Sequence, residues 1–190
     1  MGGYRNPPRD FTMPRLRATT LIGLPVTCPD GTCLGQVTQV FFNPATTAVM
    51  ILQLTGEHHE QLVLPFEAIY ELSPAAVVVT SADDPAPVSA FPQAAALVAQ
   101  QRPFQEIEVH IKGVSACTRI RDVEFDANSG EVLSYEVAAV ATSGERFMVV
   151  PASSVRLNGN NADIYGDVAA LLNDVLFLKP DTWQAHDDVP

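Results

Sequence analysis

Cys28 and Cys33 flank Pro29-Asp30-Gly31 with four residues between them, and His58 and His59 stand side by side further along the chain. Two thiolates and two imidazoles can hold a tetrahedral zinc ion. The cysteine spacing is loose for that purpose, adjacent histidines on a strand point to opposite sides, and Cys117 would be left over. A cross-hairpin disulfide is a second option for the cysteine pair. Two small residues beside a turn is the third and simplest. Cys28, Cys33, His58 and His59 are thus the metal candidates, and the expectation is that no metal or other cofactor is bound. His58-His59-Glu60 could also move protons near neutral pH, but beside Gly56 it reads as an exposed turn.

Other chemistry finds less support. Ser153-Ser154 follows Pro151 without a G-x-S-x-G elbow, and reads as the start of a helical turn capped by serine. Neither G-x-G-x-x-G nor G-x-x-x-x-G-K-S/T occurs. Picking an acid–base pair from the 22 acidic residues takes geometry that a sequence does not carry. No catalytic residue is expected. The aromatic residues are better candidates, as anchors for a protein partner: Phe41 and Phe42, Tyr135 in the run 135–140, and Trp183 with Phe177 and Leu176 near the C-terminus.

The elements that would position these groups are short strands. Residues 34–42, 48–54, 62–65 and 76–80 read as strands, rich in β-branched and aromatic residues and broken by turn sequences. Residues 66–69 read as one helical turn and 90–101 as a helix stopped by Pro103. Strands then resume near Gln105, with strands at 118–125, 131–140, 147–151 and 163–165, a helical turn at 152–155 and a helix at 167–176. The order repeats. Val40, Phe42 and Asn43 recur as Val123, Phe125 and Asp126, each 83 positions on, and Pro65 recurs as Pro151, 86 positions on. One hairpin therefore absorbs the extra length, as surface turns do.

The first copy resembles a PRC-barrel domain. The resemblance rests on Leu21-Ile22-Gly23-Leu24-Pro25-Val26, Pro29-Asp30-Gly31, Leu34-Gly35-Gln36-Val37-Thr38-Gln39-Val40, and Leu62-Val63-Leu64-Pro65 leading into Phe66-Glu67-Ala68-Ile69. The second copy keeps Ile120, Val123, Phe125 and Val149-Val150-Pro151 but lacks the D-G turn and the L-G step, with Gly113-Val114-Ser115-Ala116 and Cys117-Thr118-Arg119 in their place. The family occurs in the H subunit of photosynthetic reaction centres, in the ribosome-maturation factor RimM and in many uncharacterised prokaryotic proteins. The resemblance implies a small β-barrel that binds other macromolecules and has no catalytic residues.

The expected fold class is mainly β: two small PRC-barrel-like β-barrels in tandem, with short helices at the linker and C-terminus. The expected division is a disordered arm at 1–17, a first barrel at 18–83, a linker with a short helix at 84–103, a second barrel at 104–180 and a tail at 181–190. A barrel of this size is marginal alone, so the two should face each other across a pseudo-twofold axis, with the 90–101 helix near the junction. The chain of 190 residues carries a formal net charge of −11. That charge disfavours direct binding to nucleic acid or anionic lipid. No segment is apolar for long enough to span a bilayer, and a cytoplasmic place is expected. The expected function is a protein-binding adaptor or scaffold working through barrel edges or the inter-barrel groove, with a protein partner or a second copy of itself. A ribosome-maturation or RNA-processing associated factor that binds a basic ribosomal protein is the alternative, and a metal or small-molecule sensor a third reading.

Overall fold

The computed structural model describes residues 14–43, 45–56, 58–100, 103–111, 118–141, 144–158 and 161–165. The protein is mainly β, with two sheets and a few short helices. The first elements are β1 (Arg15–Arg17), α1 (Ala18–Leu21), β2 (Pro25–Thr27), β3 (Cys33–Asn43), β4 (Ala48–Thr55) and β5 (Gln61–Pro65). A 3-10 turn at Phe66–Ala68 leads to β6 (Ile69–Leu72), β7 (Val77–Val79) and β8 (Ala86–Pro87). A second 3-10 turn at Val88–Ala90 precedes α2 (Pro92–Gln100). After a 3-10 turn at Phe104–Glu106 come β9 (Glu108–Ile111), β10 (Thr118–Asp126), β11 (Val132–Ala141) and β12 (Gly144–Pro151). A last 3-10 turn at Ala152–Ser154 leads to β13 (Val155–Asn158) and β14 (Asn161–Ile164).

The two sheets have the same plan. One runs β6-β7-β2-β3-β4-β5 and the other β13-β14-β9-β10-β11-β12. In each, the one parallel contact joins the first strand of the unit to the last, β2 to β7 and β9 to β14. Local chemistry repeats as well. Asn43 Oδ1 accepts the Ala45 N–H, and Asp126 Oδ1 accepts the Asn128 N–H, both at 2.9 Å. These Asx turns reverse the chain because the side chain imitates a backbone acceptor. In both units a proline ends the strand and precedes the 3-10 turn, since proline lacks the N–H a ladder needs.

One difference explains why only the first unit carries the L-G step. A Cβ at Gly35, where φ is +147°, would lie 2.4 Å from the Thr55 carbonyl oxygen, so β3 can approach β4 there only as glycine. The matching position in β10 is Thr118, buried, whose hydroxyl donates to the Val109 carbonyl.

The units meet across a pseudo-twofold contact. Ala48 forms an isolated antiparallel bridge with Glu131. The Val49 N–H donates to the Gly130 carbonyl at 2.8 Å and the Val132 N–H to the Thr47 carbonyl at 2.9 Å. Residues 48 and 131, 49 and 132, and 47 and 130 are each 83 apart in the chain, the offset that relates the repeats. A residue bridged to its own counterpart is what a local twofold axis requires. The apolar residues of both units form one continuous core, with Phe42 edge-on to Phe104 at 5.8 Å and Phe66 edge-on to Phe125 at 6.2 Å. Each fully buried side chain of this size contributes about 1.5–3 kcal/mol, and sharing them offsets the small core of either unit alone.

Several expectations are corrected. The arm expected to be disordered at 1–17 is ordered from Arg15, because β1 pairs with β10 of the second unit and Leu16 is buried opposite Phe125. The linker expected from 84 begins with β8, which continues the first sheet against Leu62 and Val63 at its edge, where proline is tolerated. The linker helix does not sit between the units. It covers the outer face of the first sheet, where Phe41, Ile51, Val63 and Ala94 form a second small core with Phe91, Leu97 and Val98. The matching outer positions of the second sheet are Glu124, Ser134 and Val149. There β1 supplies Arg17 instead, which bonds Glu136 at 2.9 Å and lies 3.7 Å from Asp122. The expected helix at 167–176 and the tail lie outside the described residues.

Candidate functional site

Among the described residues no three His, Cys, Asp or Glu side chains converge on a point that could hold a metal ion. Cys28 is half-buried, Cys33 is exposed, and both are free thiols. Partial burial, then the nearby Asp30 and Asp84 carboxylates, push the Cys28 thiol up, which disfavours the thiolate a metal or a nucleophilic reaction needs. His58 and His59 lie exposed in the turn between β4 and β5. That turn is closed by Glu60, whose carboxylate accepts the His58 N–H at 2.8 Å. Ser153 and Ser154 do not cap their 3-10 turn: Pro151 occupies the cap position and no side chain bonds the turn. Cys117 lies outside the described residues.

The aromatic candidates are also redistributed. Phe41, Phe42 and Tyr135 are all buried and offer no surface to a partner. Phe42 points into the shared core, and its neighbour Phe41, on the opposite face, lies under α2. Tyr135 faces the core of the second unit. Its hydroxyl finds no hydrogen-bond partner among the described residues, and burial raises its pKa far above the usual phenol value. Trp183, with Phe177 and Leu176, falls outside the described residues.

What the fold does assemble is a groove where the two units meet. A cavity of about 470 Å³ opens between the 3-10 turn and β6 of the first unit and the β10–β11 turn of the second. Val49, Phe66, Ile69 and Leu72 give it an apolar base, and Ala127, Asn128 and Ser129 form the opposite wall. Glu67, Tyr70 and Glu71 line the same cavity, and among the described residues no basic side chain does. Tyr70 is 70% exposed, the largest exposure of any bulky apolar side chain described. A second cavity of about 350 Å³ adjoins the first through Glu67 and is lined by Met50, Ile51, Pro65, Phe91 and Ala94 under the start of α2.

The sequence carried one signal for this groove that motif reading passes over. Its residues break the repeat. With the offset of 86, Phe66, Glu67, Tyr70 and Glu71 match Ala152, Ser153, Arg156 and Leu157. Arg156 instead stacks over Tyr165 at 5.5 Å. The twofold plan is kept and the surface chemistry is not, so the acidic aromatic groove belongs to one side of the axis.

The wall opposite Tyr70 is held by Asp126. Its Oδ1 accepts the N–H of Asn128 at 2.9 Å, the N–H of Ser129 at 2.8 Å and the Ser129 hydroxyl at 3.1 Å. The Ser129 N–H lowers the pKa of this carboxyl most; burial opposes the shift, and the Asn128 N–H and Ser129 hydroxyl add to it. A carboxyl held below its unfolded value stabilises the fold fully above the unfolded pKa, near 4, and loses that contribution as pH falls through the folded pKa. Asp126→Asn should therefore be less stable than the parent by a constant amount above pH ~5, with the gap narrowing below pH ~4. Urea titrations across that range measure it, and a gap that widens in acid would contradict the assignment.

Fold and site together define a class: a two-unit, mainly β protein with an acidic aromatic groove at the junction of its repeats. Compared with models of known protein families the chain matches none, and no curated protein matches it. Among the described residues no helix is long and apolar enough to cross a membrane.

Proposed function

We propose that this chain is a non-catalytic adaptor that binds a cationic segment of a protein partner in the groove between its two units. The observation that carries the reading is Tyr70, exposed beside Glu67 and Glu71 over a cavity of about 470 Å³ that has no basic lining residue among the described residues. An aromatic ring flanked by carboxylates suits arginine and lysine, through cation–π contact and charge-assisted hydrogen bonds. The outermost strand of the first sheet, β6, lines the same groove. A partner can therefore add backbone hydrogen bonds by strand addition while its side chains enter the cavity. The net charge of −11 steers a basic partner toward this surface.

The PRC-barrel resemblance supports the same reading. Both units have one strand order and one parallel closure, and of the features behind the resemblance the strand–proline–3-10 step recurs in the second copy. A ribosomal protein is a basic partner such a groove would suit, which keeps the ribosome-associated role as the specific form of this proposal. A cytoplasmic place fits the free thiols of Cys28 and Cys33.

The test is affinity capture from native lysate with tagged wild-type chain and with Tyr70→Ala. Tyr70 is exposed and makes no core contact, so the variant should keep its circular dichroism and thermal midpoint. Retention of a stoichiometric partner should fall at least ~10-fold, the loss expected for an aromatic anchor. Equal retention by both proteins would remove the groove as the binding site.

A further inference from the structure

The groove also meets the chain's own N-terminal residues. The Pro14 carbonyl accepts the N–H of Ala127 at 2.9 Å, and Ala127 lines the cavity wall. Residues 1–13 are therefore tethered at the groove itself. Their sequence contains Arg5 and Arg9 against a single acid, Asp10, together with Tyr4, Pro7, Pro8 and Phe11. This is the composition that the groove and its apolar extension under α2 call for: cations for Glu67 and Glu71, and apolar rings for the surface of Met50, Pro65 and Phe91. Thirteen residues can reach up to ~43 Å, far more than the groove requires. A tether this short holds its ligand at an effective concentration of order millimolar, so weak contacts suffice.

We propose that residues 1–13 are an intrinsic ligand of the groove, with Arg5 and Arg9 against Glu67 and Glu71, and that a partner's cationic segment binds by displacing them. The displacement rests on the docking function proposed above; the occupation of the groove by the chain's own residues does not. The arrangement makes docking self-limited: a partner must outcompete a tethered copy of its own chemistry. Removing the two arginines therefore opens the site.

The test uses the full chain in four forms: wild type, Arg5→Glu/Arg9→Glu, Glu67→Lys/Glu71→Lys, and all four substitutions together. The probe is a fluorescein-labelled synthetic peptide of residues 1–13, read by anisotropy at low salt. Both glutamates are exposed, so the lysine variants should fold, which circular dichroism checks. The Arg5→Glu/Arg9→Glu chain should bind the peptide at least ~10-fold more tightly than wild type, whose groove is already filled. The fourfold variant should not bind it. Equal binding by wild type and the Arg5→Glu/Arg9→Glu chain, no binding by any form, or binding that survives Glu67→Lys/Glu71→Lys would each overturn the proposal. Sedimentation separates the intramolecular case from a neighbour's arm: a wild-type mass that doubles with concentration while Arg5→Glu/Arg9→Glu stays monomeric would assign the groove to a second copy and overturn it too. Failure of the docking function reads out separately. Partner retention that depends on Glu67 and Glu71 but not on Arg5 and Arg9 leaves docking intact and removes the intrinsic ligand.

Discussion

Asp122→Ala should lower the stability of the protein by about 3 kcal/mol, which for a chain of this length moves the thermal midpoint by roughly 9 °C. Asp122 is 3% exposed and lies on β10. Its Oδ1 accepts the N–H of Thr19 at 3.1 Å and of Val123 at 2.8 Å, and its Oδ2 accepts the Thr19 hydroxyl at 2.5 Å. Arg17 lies 3.7 Å from the same carboxylate. One side chain thus ties the N-terminal segment of the first unit to the central strand of the second. Alanine removes three acceptor contacts and leaves the buried Val123 N–H without its side-chain acceptor, a desolvation cost added to the net value of the bonds. Asp122→Asn keeps Oδ1 and should lose only about 1 kcal/mol, because Arg17 retains Glu136 at 2.9 Å. Urea unfolding gives both values. A loss under ~1 kcal/mol for the alanine variant would mean that the N-terminal segment is not anchored by this carboxylate.

The second large effect is at the junction. Gly130→Ala should cost about 3 kcal/mol, against about 1 kcal/mol for Gly31→Ala. Both glycines have positive φ, +73° and +88°, so both substitutions carry the strain of a left-handed backbone. They differ in what the new methyl meets. At Gly31 there is nothing within 4 Å; at Gly130 a Cβ lies 2.8 Å from Phe66 Cε1. Phe66 must then move, losing its edge-on contact with Phe125 across the units. A double-mutant cycle isolates this part. In a Phe66→Ala background the Gly130→Ala cost should fall to that of Gly31→Ala. If the two costs stay apart, the penalty is not the contact between units.

The repeat was legible in the sequence because its signals are local and chemical. A proline ends β5 and β12, Asn43 or Asp126 closes each Asx turn, and β-branched runs mark the long strands. The strands following each 3-10 turn, β6 and β13, were missed. Both are four residues long and lie at sheet edges, and Ile69-Tyr70-Glu71-Leu72 shows no alternating burial. The pairing of β1 with β10 was not legible at all, since its partners lie more than 100 residues apart and Arg15-Leu16-Arg17 looks like any basic arm. Reading that arm by composition alone put it in the disordered part.

The site was misplaced for a related reason. Phe41-Phe42 suggested an outward-facing aromatic because adjacent strand residues take opposite faces, and one of the two should then meet solvent. That inference holds for a single layer and fails once α2 adds a second. Residue type alone makes Tyr135 a surface anchor, yet its position on β11, between Val123 of β10 and Val150 of β12, fixes it inward. Tyr70 is unmarked in the sequence because it lies just past Phe66-Glu67-Ala68-Ile69, the last step of the family resemblance, and belongs to no motif of its own. Its importance emerges only when the repeats are superposed by offset and the second copy is found to have Arg156 there.

If a protein partner docks in the groove between the units, its two walls must be shielded in the complex. Hydrogen exchange of the intact chain, with and without the protein it retains from lysate, measures that shielding. New protection should be confined to 66–72 and 127–130, the two walls of the groove. Protection at β12, β13 or the turn holding His58 and His59, with the groove unchanged, would contradict docking there.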